Sequence, residues 1–397
     1  MKILQINIFG NLSTGKIAVD LYRSLKQAGH EGVVAFARNT IAEDVPNIKI
    51  GSKWSVLFDG IMTRLTDRAG FYSKRATKKL IAQIKEYDPD IIHLHNLHGY
   101  YINIELLFAY LRESGKPVVW TLHDCWAFTG HCCYYSAAGC DKWKYGCSHC
   151  PQIATYPRSW FCDNSEWNFK KKIDLFTSLP HLHLVCVSNW LESELEKSFL
   201  RDVPHQVIHN GIDTEAFRPI DGQIKQKYGI PDKKVILAVS TSWGSERKGL
   251  NDVIQLANRL DSSHCVVIVG LSEQEKKALP NSVIGITRTD STQELAELYS
   301  AADYYFNASV EETFGLPTVE AMACGTPVIV YDATALPEVV SEQNGFVVRE
   351  HDLNAVQHII ESEWHFDKDI ISKSAAPFGK KVMMENYLSV YKRLVTE

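Results

Sequence analysis

Apolar runs alternate with helix-spaced stretches along this chain, and the alternation occurs twice. Lys2–Phe9 reads as a buried strand, and Ser13–Ala28 follows it with Ile17, Leu21 and Leu25 at helical spacing. Further strands are predicted at Gly32–Ala37, Asp90–Leu94, Pro117–Leu122 and Leu182–Ser188. After a stretch marked by glycine and proline, Asn210–Pro219, the pattern restarts. Its strands are predicted at Val235–Ser240, Cys265–Gly270, Tyr304–Ala308 and Pro327–Tyr331. Continuously apolar strands, each followed by a helix, belong to parallel sheets covered on both faces. The expectation is an α/β protein of two doubly wound, Rossmann-like domains, with ligand-binding loops at the carboxyl ends of both sheets facing a shared cleft. A closing amphipathic helix is predicted at Met383–Val395, with Tyr387, Val390, Tyr391 and Leu394 on one stripe.

Composition narrows the function. A chain of 397 residues is long for one core, which supports two domains. The net charge of −5 argues against a general nucleic-acid binder. No run approaches the roughly 18 apolar residues that span a bilayer. The first residues read straight into a strand without a signal-peptide core, so a cytoplasmic location is expected. In a reducing compartment the 10 cysteines are expected as free thiols or metal ligands.

The most specific segment is Ser309–Ile329. Pro317 suits a helix's first turn and Gly325 its stop, which predicts a helix of about two turns. Its N-terminus, at Gly315 and Leu316, offers amides and a positive dipole end to a diphosphate. Glu312 lies in the loop before the helix and Glu320 one turn inside it, so the two carboxylates can grip two separate diols. The bland alternative is one capping acid and one solvated acid. Arg247 and Lys248 follow the strand Val235–Ser240, and two cations at a strand end suit a diphosphate, although a basic pair is often only a solvated surface.

Glu312, seven intervening residues and Glu320, set in Phe-Gly-Leu-Pro and Glu-Ala-Met-Ala-Cys-Gly-Thr-Pro-Val-Ile, resemble the retaining glycosyltransferases of family 4. The resemblance extends to the glycine loop, to His209–Asp213, to Lys248-Gly249 and to Leu336-Pro337-Glu338. It implies a GT-B fold with an acceptor-side domain at 1–212, a nucleotide-sugar domain at 213–376, and a crossing back to the first domain at 377–397. It also implies transfer of a hexose from a nucleoside-diphosphate sugar, most simply UDP-linked, to a glycan or lipid-linked acceptor. Glu312 would then bind sugar hydroxyls and Glu320 the ribose. Phe314, Gly315 and Leu316 would line the sugar and phosphate, with Gly15 and Asn210 also at the donor. His123, closing the strand Pro117–Leu122, would reach the donor. No metal or cofactor is expected in catalysis. One departure stands out: the family's arginine five residues before the lysine is Trp243 here. The competing reading is a catalytically silent sugar-nucleotide-binding subunit of another transferase.

Four features remain. Gly10–Lys16 fits most of a P-loop, but Ile17 stands where a magnesium-binding hydroxyl is required. Asp88-Pro89-Asp90 resembles a paired-aspartate metal motif, yet it reads better as a helix stop before a strand. Cys132, Cys140, Cys147 and Cys150, within a Cys-rich insertion at about 125–162, are a candidate structural zinc set, with plain thiols as the alternative. This insertion resembles a branch of family 4 associated with bacterial exopolysaccharide assembly. Finally, Lys53–Lys85 carries eight Lys/Arg against two Asp, interleaved with Trp54, Leu57, Phe58, Ile61, Leu65, Phe71 and Tyr72. That pattern fits peripheral contact with an anionic membrane at its inner face, or a solvated helix packed on the first domain.

Overall fold

The two sets of apolar runs form two parallel sheets in the computed structural model of the chain, which describes residues 1–362 and 364–396. Residues 1–209, with the chain from Met383 onward, form one unit, and Asn210–Val382 form the other.

The first sheet comprises β1 (Lys2–Phe9), β2 (Glu31–Arg38), β3 (Asn47–Lys49), β4 (Ile91–Leu94), β5 (Val118–Leu122), β6 (Leu182–Cys186) and β7 (His205–Val207). Its order is β3-β2-β1-β4-β5-β6-β7. The edge strands β3 and β7 are three residues long and too short to show a hydrophobic period. β6 stops before Ser188 because that residue caps the next helix, its side chain accepting from the Leu191 N–H at 3.1 Å. Alternate residues of β5 face opposite layers. Val119 packs with Ile3, Ile91 and Val185 under the C-terminal helix Lys380–Thr396, through Met383, Tyr387 and Tyr391. Trp120 faces the other way, with ring centroids 5.8 Å from Phe108 and 4.8 Å from Phe176. Burying each such large side chain contributes roughly 1.5–3 kcal/mol. The C-terminal helix is also tied to the sheet by polar contacts, Tyr391 Oη to His93 Nδ1 at 2.7 Å and Tyr387 Oη to Thr121 Oγ1 at 2.8 Å.

The second sheet comprises β8 (Lys234–Val239), β9 (His264–Val269), β10 (Val283–Ile286), β11 (Tyr304–Asn307), β12 (Val328–Tyr331) and β13 (Gly345–Val348), in the order β10-β9-β8-β11-β12-β13. One face is sealed by Val253 and Leu256 from the helix Leu250–Ala257, and by Val356 and Ile360 from Leu353–Glu361. The segments by which the chain enters and leaves this unit lie side by side. The Ile212 N–H donates to the Phe378 carbonyl at 2.9 Å, and the Lys380 N–H donates to the Ile212 carbonyl at 2.8 Å.

Each sheet has one point where the strand order reverses, between β1 and β4 in the first and between β8 and β11 in the second. Helices departing to opposite faces open a crevice at the carboxyl ends of the strands there. The Asp88-Pro89-Asp90 motif falls at the opposite ends of the strands and is structural. Asp88 ends the helix Lys74–Tyr87, and Asp90 accepts the Lys2 N–H at 2.7 Å where β1 and β4 begin. Ile17 is buried in the core of the first unit.

Candidate functional site

At the β8–β11 reversal, the turn after β8 carries Arg247 and Lys248, and the loop after β11 carries Glu312. Gly249 makes the approach possible: its φ is 71°, and a Cβ would sit 2.1 Å from the Ala308 carbonyl oxygen. The turn is fastened by the Val310 N–H donating to the Arg247 carbonyl at 2.9 Å, and by Arg247 Nη1 donating to the Glu311 carbonyl at 2.8 Å. Lys248 Nζ therefore meets the Glu312 carboxylate in a direct ion pair that is largely shielded from solvent. Thr334, a non-glycine residue at φ 49°, clamps the backbone of Glu312. Its hydroxyl accepts from the Glu312 N–H at 2.8 Å and donates to the Glu312 carbonyl at 2.7 Å. Burial pushes the Glu312 carboxyl upward, but Lys248 and Arg247 outweigh it and hold the group below its usual range, hence ionised at neutral pH.

The helix Leu316–Ala323 follows directly, with Gly315 left-handed at its N-cap and Pro317 in its first turn. Asn307 ties β11 to this helix, donating to Thr318 Oγ1 at 3.0 Å and accepting from the Ser309 N–H at 3.1 Å. Such an N-terminus directs amides and a partial positive charge outward. Phe314 beside it is buried. Glu320 accepts from Tyr299 Oη at 3.2 Å, and that tyrosine is itself fully buried, so the carboxylate has a fixed support. Asn210 is buried in the same unit. Trp243 belongs to the core, its indole N–H donating to the Val269 carbonyl at 2.9 Å, so Arg247 and Lys248 carry the positive charge of this turn. A cavity of about 640 Å³ among Lys234, Asp303, Pro327 and Trp364 opens at the other, N-terminal ends of the strands and contains none of these residues.

In the first unit, Gly15 opens the helix after β1, where a Cβ would lie 2.6 Å from the Phe9 carbonyl oxygen. His123 follows β5 and lies 3.1 Å, Nε2 to Nδ1, from His95, which follows β4. His95 Nε2 in turn lies 3.1 Å from Gln5 Oε1 on β1. Burial lowers the His123 ring to about 4, so it is neutral at physiological pH. Asp124 is bonded to His98 Nε2 at 2.7 Å and to the Trp126 N–H at 2.9 Å, and His98 Nδ1 meets Tyr156 Oη at 2.9 Å. Sequence reasoning missed Gln5, His95, His98 and Thr334. The available signal was the histidine-rich end of β4, His93-Leu94-His95-Asn96-Leu97-His98.

Of the cysteine quartet, Cys132 and Cys150 are hydrogen-bonded to each other, and Cys147 interacts electrostatically with Cys132, Cys140 and Cys150. No three of Cys132, Cys140, Cys147 and Cys150 bring their sulfurs within 4.8 Å of one another. Among the described residues, the one group of three such ligand-type side chains is His98, Asp124 and Cys133. Cys140 sits in a turn closed by its N–H on the Tyr135 carbonyl, while Cys147 Sγ accepts from the Gly130 N–H at 3.1 Å. Trp143 packs the segment against Phe128 and Tyr135, and the buried Lys172 ties it further. That ammonium donates to the Trp126 and Thr129 carbonyls at 2.7 and 3.0 Å and lies 3.5 Å from the Trp126 ring centre. Buried Asp67 completes it, bonded to His131 Nδ1 and accepting the Asn164 N–H at 2.8 Å.

Residues 14–216 match the family described as Glycosyltransferase Family 4, and residues 221–365 match Glycosyl transferases group 1. The chain belongs to glycosyltransferase family 4. A relative named as the colanic acid biosynthesis glycosyl transferase WcaC, from Escherichia coli (strain K12), is 23% identical over 417 residues, covering 99% of this chain and 100% of the relative. A D-inositol 3-phosphate glycosyltransferase of Mycobacterium marinum is 28% identical over 211 residues, 48% of this chain and 45% of its own. Among solved structures, a sucrose-phosphate synthase from Thermosynechococcus elongatus matches with TM-score 0.71 and 17% identity over 100% of this chain and 99% of that one. Anabaena HepE in complex with UDP matches with TM-score 0.71 and 17% identity over 99% of this chain and 100% of that one. These structures share the GT-B fold of two parallel-sheet, Rossmann-like units.

Proposed function

We propose that this chain transfers a hexose from UDP to a glycan or lipid-linked acceptor in polysaccharide biosynthesis, with retention of configuration and without a catalytic metal. The observation that carries this reading is the second unit's strand-end constellation. Opposite charges on Lys248 and Glu312 meet beside a helix N-terminus, with Glu320 one turn further on. Arg247, Lys248 and the amides of Gly315 and Leu316 would neutralise the diphosphate, where a metal serves in other enzymes. Glu312 would accept from sugar hydroxyls and Glu320 from the ribose. His123 would contact the transferring sugar. Retention then proceeds by front-face attack assisted by the leaving phosphate, and the protein supplies position and charge stabilisation rather than a nucleophile. The names of WcaC and of HepE bound to UDP support the polysaccharide setting and the base. The test is a panel of nucleoside-diphosphate hexoses incubated with membrane extract, with release of free nucleotide as the readout. Release from no donor would overturn the proposal.

Peripheral membrane contact fits the same reading. The helix Lys53–Thr66 turns Trp54, Leu57, Phe58, Ile61 and Leu65 outward, with Trp54 79% exposed. The acids of the surrounding segment, Asp59 and Asp67, are buried, so its exposed charge is cationic. An apolar stripe flanked by cations suits an anionic bilayer surface. Among the described residues no helix is long and apolar enough to cross a membrane. Flotation with anionic but not neutral vesicles, lost in Trp54→Ser with Phe58→Ser, is the expected result. Equal flotation of the double variant would exclude this face.

A further inference from the structure

We infer that Gln5 and His95 are positioning residues that lock His123 into a single neutral tautomer, protonated on Nε2 and carrying its lone pair on Nδ1. One chain of hydrogen bonds sets this tautomer. Gln5 is 1% exposed, so water cannot substitute for its partners. Its Nε2 donates to the Ala18 carbonyl at 2.9 Å, and a carbonyl only accepts, which fixes the amide with Oε1 toward His95. That oxygen also only accepts, so His95 Nε2 must carry a proton. A neutral imidazole has one N–H, and His95 Nδ1 is therefore a lone pair. His123 Nε2, 3.1 Å away, must then be the donor.

The surroundings leave no easy way out of this arrangement. The His95 backbone is held on both sides, its N–H donating to the Ile6 carbonyl at 2.9 Å and its carbonyl accepting from Trp120 Nε1 at 2.9 Å. His93, stacked 4.2 Å from His95, has both nitrogens engaged elsewhere, with Thr121 Oγ1 at 2.8 Å and Tyr391 Oη at 2.7 Å. Asp124, His98, His95 and His93 are among the ionisable groups that interact with His123, and Asp124 is itself bonded to His98. Burial, the largest influence, keeps His95 and His123 neutral.

The chemical consequence rests on the proposed function. A His123 locked in this way can accept a hydrogen bond through Nδ1 but cannot donate one there, nor act as a cation. It would recognise a hydroxyl of the sugar, leaving phosphate charge to Arg247 and Lys248. A donor lacking that hydroxyl should lose the contact.

The test uses the full chain labelled with ¹⁵N-histidine, with long-range proton–nitrogen spectra of the rings at neutral pH. His95 and His123 are both expected as Nε2–H tautomers. His95→Phe keeps a ring but removes the acceptor, so His123 should exchange between tautomers. Its kcat should fall about tenfold or more while UDP affinity is unchanged. His95→Asn places an amide oxygen near the Nδ1 position and should recover most of both properties. A wild-type His123 protonated on Nδ1, or a pure Nε2–H signal in His95→Phe, would overturn the inference. If His95→Phe fails to fold, the wild-type spectrum and His95→Asn still decide. A correct tautomer signature in a protein that turns over no sugar nucleotide would sink the proposed function and leave the tautomer lock standing.

Discussion

The β8–β11 ends in the second unit and the β1–β4–β5 ends in the first occupy the same topological position, a strand-order reversal, yet they are built from opposite materials. The second unit places full charges there, Lys248 against Glu312, each supported by backbone contacts from neighbouring loops. The first unit places buried neutral rings there, with His123 held through His95 by an amide in the middle of β1. Charged groups suit a ligand that brings phosphate, because fixed charges already in place need little reorganisation when it arrives. Neutral rings suit hydroxyl recognition, where direction matters more than charge.

The comparison breaks most severely at Glu312. Glu312→Ala should lower transfer by about 10²–10³ with an intact fold, measured as product formed by protein of unchanged circular dichroism. Near-normal turnover would remove Glu312 from the site. Glu320→Ala should act on binding, weakening UDP about tenfold or more, the order expected for one hydrogen bond to a charged group. Calorimetry with UDP alone checks this, and unchanged affinity would count against a ribose contact.

Acid should separate the two units next. Burial holds the His93 ring at about 3 and His123 at about 4, whereas histidine in an unfolded chain titrates near 6.5. Between those values the unfolded chain binds more protons than the folded one. Stability from these rings is thus present above about pH 6.5 and is lost as pH falls toward 4. Glu312, held low by Lys248 and Arg247, loses its contribution only at more acid pH. Stepwise acidification with limited proteolysis should therefore cut the first unit earlier. Simultaneous cleavage of both would contradict the contrast. The smallest effect is expected from chelators: transfer should persist after metal removal, and recovery on adding magnesium or manganese would show that the charges of the second unit are insufficient.

Legibility in the sequence followed the same division. The loop and short helix that carry the candidate residues of the second unit were readable because their parts are local. Glu312, Gly315, Pro317, Glu320 and Gly325 lie within one loop and one short helix, and their spacing carries their geometry. The strands were readable where apolar runs are long, as in β1 and β8, and not where they shrink to three residues at the edges, as in β3 and β7. The histidine chain was not readable. Gln5, His95 and His123 come from three strands that are neighbours only once β1, β4 and β5 pair, and nothing in the spacing of 90 residues between Gln5 and His95 announces a bond. Thr334 was hidden for the same reason, since its contact with Glu312 exists only when the loop after β12 folds back. At Trp243 the departure from the family's arginine was visible, but its burial against Val269 was not.

The charged constellation of the second unit is the proposed donor site. The most direct measurement is release of UDP from UDP-hexoses by the wild type and by Glu312→Ala, in the presence of acceptor-containing membrane extract. The account predicts rapid, acceptor-dependent release from at least one hexose by the wild type and loss of nearly all of it in the variant. Equal release by the two proteins, or none by the wild type from any UDP-hexose, would contradict it.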